Sequence, residues 1–215
     1  MGKTIFNKFD KKQIAKLPRV SFEGTTVVVV SQFEARKAVD FLLREPILGI
    51  DTETRPSFKK GRQNVVSLLQ VATKNICFLF RLNYIGLSED IKRLLEDDHV
   101  PKVGLSLHDD VLSLHKKGDF KPGLFIDLQD HMRELGIEDM SLQKLYANLF
   151  GMKISKTQQL SNWEADVLND KQKAYAATDA WACVMIYEEY LRLKASGDYK
   201  LEIVNEHTVQ PIAEE

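Results

Sequence analysis

Apolar residues along the first part of the chain form short runs separated by polar and turn-forming residues, a pattern typical of β-strands. Four such runs lie at residues 27–30, 47–52, 65–72 and 76–80. Lys74 and Asn75 separate the last two runs, which predicts a hairpin there. A helix is expected over residues 31–44, because Ser31 is a suitable N-cap for the apolar positions that follow.

After residue 84 the apolar spacing becomes helical. It predicts helices at 88–97, 107–117, 141–150 and 170–194, with strands at 103–105 and 125–128. Consecutive strands followed by strands that alternate with helices predict an α/β domain with a central mixed β-sheet flanked by helices. We expect this domain at 21–195, an N-terminal arm at 1–20 with a short helix at 10–17, and a C-terminal extension at 196–215.

The composition is that of an ordinary globular protein, with 44% hydrophobic and 28% charged residues. The formal net charge of −1 provides no overall basic field, so a polyanionic partner would need local or bound cations. Cys77 and Cys183 are far apart and in no C-x-x-C pair, which argues against a disulfide scaffold or a zinc site. No apolar run has membrane-spanning length and no signal peptide is evident, so a cytoplasmic location is expected.

The strand at 47–52 ends in two acidic residues, Asp51 and Glu53. Residues two apart in a strand face the same side, so both carboxylates point the same way. Two anions this close repel each other unless a cation lies between them. Taken alone, the pair is explained at least as well by a polar strand end that enters a loop.

A second acidic pair, Asp109 and Asp110, lies near the start of the helix at 107–117. Acidic residues are common in a first helical turn because they interact favourably with the helix dipole. The two differ in phase, however, because Leu107, Asp110 and Leu114 share one face and Asp109 lies off it. A carboxylate on a buried face needs a partner or a metal ion.

Tyr175 and Asp179 are four residues apart on the long helix at 170–194, so they lie on one face together with Cys183 and Ile186. A buried tyrosine hydrogen-bonded to a neighbouring aspartate explains this spacing about as well as a functional site does.

Together, four carboxylates come from one strand end and two helix faces: Asp51, Glu53, Asp110 and Asp179. An all-oxygen set of this kind suits hard cations such as Mg²⁺ or Mn²⁺. The surrounding motifs resemble those of the DEDDy 3′→5′ exonucleases, the superfamily of ribonuclease D and the Werner-syndrome exonuclease domain. The matching segments are Gly49-Ile50-Asp51-Thr52-Glu53, Val103-Gly104-Leu105-Ser106-Leu107-His108-Asp109-Asp110 and Tyr175-Ala176-Ala177-Thr178-Asp179.

The resemblance implies a ribonuclease H-like fold over residues 21–195 and two divalent cations held by the four carboxylates. It implies hydrolysis of nucleic acid, DNA or RNA, from a free 3′ end to nucleoside 5′-monophosphates, with Tyr175 orienting the attacking water. It also implies contacts from Thr52 or Glu53 to the terminal 3′-hydroxyl and from Lys156 to a phosphate.

Arg62 is a further candidate for substrate binding, in a basic loop with Lys59 and Lys60. For these two lysines a solvated surface is the simpler interpretation. Trp163 could stack on a base, but we interpret it as a core aromatic.

Two other functional classes stay open. The chain could be a catalytically weak or inactive nucleic-acid-binding or scaffold module of the same fold. It could also be a regulatory domain whose N-terminal arm or C-terminal tail docks a protein partner.

Overall fold

The computed structural model describes residues 2–57 and 64–204. Its strands are β1 Lys3–Phe6, β2 Thr25–Val29, β3 Leu48–Thr54, β4 Val66–Ala72, β5 Ile76–Phe80, β6 Lys102–Gly104, β7 Phe125–Asp127 and β8 Tyr199–Glu202. Its helices are α1 Lys11–Ile14, α2 Gln32–Leu42, α3 Leu82–Ile85, α4 Glu89–Glu96, α5 Leu107–His115, α6 Leu128–Glu134, α7 Leu142–Phe150 and α8 Asp170–Ser196. Every strand and helix predicted from the pattern is present, with its ends within a few residues of those expected.

The predicted mixed sheet is confirmed. It has six strands in the order β2-β5-β4-β3-β6-β7. Strand β4 runs antiparallel to both of its neighbours, and the remaining pairs are parallel. The expected hairpin joins β4 to β5, where the Thr73 hydroxyl oxygen accepts hydrogen bonds from the Asn75 and Ile76 amides.

Helices cover both faces of this sheet. Helices α2 and α4 pack on one face, while α6, α7 and α8 pack on the other. Residue Asn169 begins α8 with a reciprocal capping box to Gln172, and Gly197 ends it in the left-handed conformation. No helix within the described residues is long and apolar enough to cross a membrane.

The contact between β3 and α8 is close because β3 carries a glycine at the crossing point. A Cβ atom placed on Gly49 would lie 1.9 Å from the carbonyl oxygen of Ala180. Backbone therefore meets backbone at this point, with no side chain between them. This close approach of the two backbones brings the carboxylate of Asp179 in α8 near that of Asp51 in β3.

The two ends of the described chain meet in a second sheet, which the sequence pattern did not predict. Strand β1 pairs in parallel with β8, and Ile5 of β1 is fully buried. The other edge of β1 is occupied by Asn148, whose side chain exchanges hydrogen bonds of 2.9 and 2.7 Å with the backbone of Phe6. The division into an arm, a domain and an extension stays a prediction, but residues 3–6 and 199–202 pack against the domain.

Candidate metal centre

The carboxylates of Asp51 and Glu53 lie at the end of β3, on the face covered by α8. Asp51 pairs in register with Gln70 of β4, and the register shifts between Glu53 and Thr54. Such an irregularity bends a strand and changes the direction of the side chains beside it. Both acids are partly buried.

Asp179 of α8 completes a group of three carboxylates. One carboxylate oxygen from each of Asp51, Glu53 and Asp179 lies within 4.8 Å of the other two. Asp179 is only 6% exposed, as its position on the buried helix face predicts. Tyr175 lies one turn earlier on the same helix, and its phenol is close enough to the Asp179 carboxylate for each group to affect the pKa of the other.

Asp110 lies beside this group. Among the described residues, it is not one of the three carboxylates within 4.8 Å of one another. Its carboxylate accepts a hydrogen bond from the Thr52 hydroxyl. Asp110 is partly buried while Asp109 is exposed, in agreement with the predicted helical phase. Its charge still acts on Asp51 and Glu53, because it raises the pKa of both.

The turn that positions Asp110 is held by Asp127, a residue that sequence reasoning missed. Ser106 caps α5 in a left-handed conformation, with φ of 61°, and makes no side-chain cap hydrogen bond. The Asp127 carboxylate instead accepts the amides of Ser106 at 3.1 Å, Leu107 at 2.8 Å and Gln129 at 2.9 Å. In sequence Asp127 is recognisable only as a cap for the helix that follows it, so its second role depends on β6 and β7 being neighbours.

The carboxylates oppose each other's ionisation. Burial, followed by the charges of Asp110, Asp179 and Glu53, holds the pKa of Asp51 well above its usual range. Burial, followed by the charges of Asp179 and Asp110, raises the pKa of Glu53 to about 9. Burial also raises the pKa of Asp110 to about 6, although the hydrogen bond from Thr52 lowers it. Without a cation, part of the group is therefore protonated at neutral pH.

Burial also raises the pKa values of Asp179 and Tyr175. Burial raises the pKa of Asp179 to about 7, against the opposing effects of the Tyr175 hydrogen bond and the Lys156 charge. Burial and the nearby charges of Asp179 and Glu53 raise the pKa of the Tyr175 phenol above its usual range. Tyr175 is therefore a protonated hydrogen-bond donor at neutral pH and not a base.

The donor set fits a hard divalent cation. All the ligand atoms are carboxylate oxygens, which Mg²⁺ and Mn²⁺ prefer, and none belongs to histidine or cysteine. A cation would also replace the protons that these carboxylates retain because of their raised pKa values.

A buried amide without hydrogen-bond partners lies on the strand next to Asp51. It belongs to Gln70, which is fully buried, and neither its amide oxygen nor its amide nitrogen has a partner among the described residues.

The carboxylates open into a cleft of about 330 Å³. Leu105, Ser141, Gln143 and Gln159 are among the residues that line it. Of the predicted substrate contacts, Thr52 and Lys156 line this cleft. Arg62, Lys59 and Lys60 lie outside the described residues. Trp163 is fully buried, which confirms the interpretation as a core aromatic.

Comparison with known proteins agrees with this geometry. Residues 26–194 match the model of a family described as 3′-5′ exonuclease. The bifunctional 3′-5′ exonuclease/ATP-dependent helicase WRN of Mus musculus is 31% identical in an alignment of 187 residues that covers 80% of this chain and 13% of that protein. Exonuclease 3′-5′ domain-containing protein 2 of Drosophila melanogaster is 35% identical in an alignment of 136 residues that covers 61% of this chain and 23% of that protein. The chain thus spans less than a quarter of these two relatives.

Solved structures agree on the fold. The EXO domain of Aedes aegypti Nibbler superposes with a TM-score of 0.72 at 23% identity, covering 80% of this chain and 90% of that one. Escherichia coli RNase D superposes with a TM-score of 0.72 at 19% identity, covering 80% and 46% respectively. The fold is the expected ribonuclease H-like one, and the chain belongs to the 3′-5′ exonuclease family.

Proposed function

We propose that this protein hydrolyses nucleic acid from the 3′ end and releases nucleoside 5′-monophosphates. The observation that carries the proposal is the group formed by Asp51, Glu53 and Asp179 in an open cleft that Tyr175 also lines. Carboxylates so close, with pKa values this far above their usual range, are unfavourable for stability, which supports a role in binding cations.

Two divalent cations, Mg²⁺ or Mn²⁺, are proposed to bind to the four carboxylates. When bound, such cations lower the pKa of water and stabilise the charge on a departing oxygen. Asp51, Glu53 and Asp179 are already within reach of a common ion. Asp110, whose carboxylate accepts the hydrogen bond from Thr52 beside this group, would be the fourth carboxylate to hold the cations.

Tyr175 is proposed to orient the water that attacks the scissile phosphate. Its phenol stays protonated at neutral pH, so it donates a hydrogen bond to the water oxygen and does not remove the proton. Its ring packs against buried Trp163 with centroids 6.0 Å apart, which limits the movement of the hydroxyl. This role predicts that Tyr175→Phe lowers kcat and leaves metal affinity almost unchanged.

The substrate is proposed to be a nucleic acid strand with a free 3′ end. Lys156 is exposed and lines the cleft, which supports a contact from its ammonium to a phosphate, and Thr52, which also lines the cleft, is proposed to contact the terminal sugar. Two solved structures with this fold support a nucleic-acid substrate, because Trypanosoma brucei RNase D was solved in complex with RNA U12 and Brucella melitensis NrnC bound to pGG. Arg62 stays a prediction.

The test is a panel of single strands labelled at the 5′ end, with matched DNA and RNA sequences. With Mg²⁺ or Mn²⁺ the wild-type protein should shorten at least one of them in steps of one nucleotide, and EDTA should stop the reaction. The neighbouring acids provide a matched pair: Asp110→Asn should remove most activity, while Asp109→Asn should retain it. Intact substrates with every metal, under conditions where the strand is bound, would show a binding module in place of an enzyme.

A further inference from the structure

A second cleft adjoins the one that contains the carboxylates. Both are lined by Ile154, Ser155 and Tyr175, so the two clefts are direct neighbours. The second cleft, here called the upstream groove, has a volume of about 420 Å³ and lies between Arg19 and Lys171.

The upstream groove has the charge of a site for an anion. Arg19 and Lys171 are both exposed, and no acidic residue lines the groove within the described part of the chain. Neither cation has an ion-pair partner among residues 2–57 and 64–204. Lys156 lines the adjoining cleft and likewise has no ion pair among these residues. The charge of Lys156 acts on Asp179, so Arg19 and Lys171 are the two cations that line the upstream groove without an ion pair in the described part of the chain.

The wall that carries Arg19 is fixed by hydrogen bonds on both sides. The amide of Val20 donates to the Lys153 carbonyl oxygen at 3.1 Å, and the amide of Phe22 donates to the Thr178 hydroxyl at 3.0 Å. Arg19 is therefore held against α8 although it precedes residue 26, where the match to the family begins. Arg19 itself therefore lies outside the matched range, while the residues that hold its segment lie inside it.

A third cleft meets the carboxylate cleft at Thr52 and Glu53 and is lined by charges of both signs. Its lining includes Asp109, Asp110 and Lys116, and its Arg55 is paired with Glu164 at 3.2 Å. No acidic residue lines the upstream groove within the described part of the chain, so its lining is the more favourable one for a phosphate.

We propose that the upstream groove binds the phosphodiester backbone of the substrate strand on the 5′ side of the scissile phosphate, with Arg19 and Lys171 as phosphate contacts. The inference rests on the proposed exonuclease function. Contacts to phosphate carry no base information, so the groove accepts strands of any sequence. Binding in the groove raises the affinity for strands longer than a dinucleotide and makes that affinity more dependent on the salt concentration.

The binding test uses Asp51→Asn protein, which holds a strand without cutting it, and a fluorescent strand of roughly twelve nucleotides. Affinity is measured over a salt series with and without the pair Arg19→Ala and Lys171→Ala. Each phosphate contact contributes about 0.7 to the slope of log K against log salt for single strands, so two lost contacts lower the slope by about 1.4. The exposed pair Arg44→Ala and Lys121→Ala lines none of the three clefts and is the matched control, with an expected slope equal to that of the parent.

The catalytic test compares kcat/KM for the same strand and for a dinucleotide, using protein with intact carboxylates. The advantage of the long strand should shrink by about tenfold or more in the Arg19→Ala, Lys171→Ala protein and return with Arg19→Lys and Lys171→Arg. An unchanged salt slope and an unchanged length advantage overturn the groove while the exonuclease function stands. Absence of cleavage by the wild type rejects the proposed exonuclease function. In that case the salt dependence of strand binding alone tests whether the groove binds phosphate.

Discussion

Replacing Asp179 with asparagine should stabilise the metal-free protein while it removes activity. The substitution keeps the shape of the side chain and one of its two acceptor oxygens. It removes one negative charge from a buried position that is 6% exposed and close to Asp51 and Glu53. Without cations, that charge is unfavourable for folding.

The magnitude follows from the pKa of Asp179. Burial raises it from an ordinary 3.8 to about 7 in the folded protein. A difference of about three pH units corresponds to about 4 kcal/mol when the group is ionised in both the folded and the unfolded states. Because the folded pKa is the higher one, its contribution to stability is complete below about pH 4 and is lost as the pH rises through 7. Asparagine has no such dependence.

The assay is urea denaturation of wild type and Asp179→Asn in EDTA between pH 5 and pH 8. The free energy of unfolding of the variant should exceed that of wild type by roughly 1–2 kcal/mol at pH 5 and by about 4 kcal/mol at pH 8. At 2–4 °C per kcal/mol, the pH 8 difference corresponds to on the order of 10 °C in Tm. Added Mn²⁺ should reduce the difference by stabilising the wild type more than the variant.

The control is Asp109→Asn, which removes an exposed carboxylate outside the group. It should change the free energy of unfolding by less than about 1 kcal/mol across the pH range. A variant of Asp179 that is no more stable than wild type at pH 8, or a difference that does not change with pH, would refute the reasoning.

Three further predictions concern single side chains. Gly49→Ala should lower the free energy of unfolding by more than about 2 kcal/mol in urea denaturation, because its Cβ would lie 1.9 Å from the Ala180 oxygen. Gly118→Ala, whose Cβ would meet no atom closer than 3.5 Å, is the matched control. Asp127→Asn should lower stability by about 1–3 kcal/mol and weaken Mn²⁺ binding in calorimetry, because the turn before Asp110 loses charged acceptors for three amides. Unchanged affinity for Mn²⁺ would show that the turn does not position Asp110. Gln70→Leu should raise the stability of the metal-free protein by about 1 kcal/mol, since it removes a buried amide without partners; a loss of stability in the same denaturation assay would contradict this.

The elements of the fold could be predicted wherever the information is local. The runs that became β4 and β5 are bounded by their own turn, and the N-caps of α2 and α8 lie next to the helices they begin. Helical phase was sufficient to separate Asp110 from Asp109 and to place Asp179 on a buried face. These features depend on residues within a few positions of each other.

The features that could not be predicted depend on contacts between distant residues. Strands β1 and β8 pair at opposite ends of the chain, so neither has a local signal of its partner. The hydrogen bond from Thr52 to Asp110 and the support of Ser106 by Asp127 require the strand order β3-β6-β7. The groove beside Arg19 likewise forms only because residues around 20 and 153 become neighbours in space.

The most direct test of the central proposal is the first product released from a strand labelled at its 3′ end. With Mn²⁺ and excess strand, the wild-type protein should release the label as a nucleoside 5′-monophosphate before any shorter product accumulates. Asp51→Asn should release none over the same time. Release of the label on a longer oligonucleotide, or cleavage by Asp51→Asn at the rate of wild type, would contradict a 3′-5′ exonuclease built on these carboxylates.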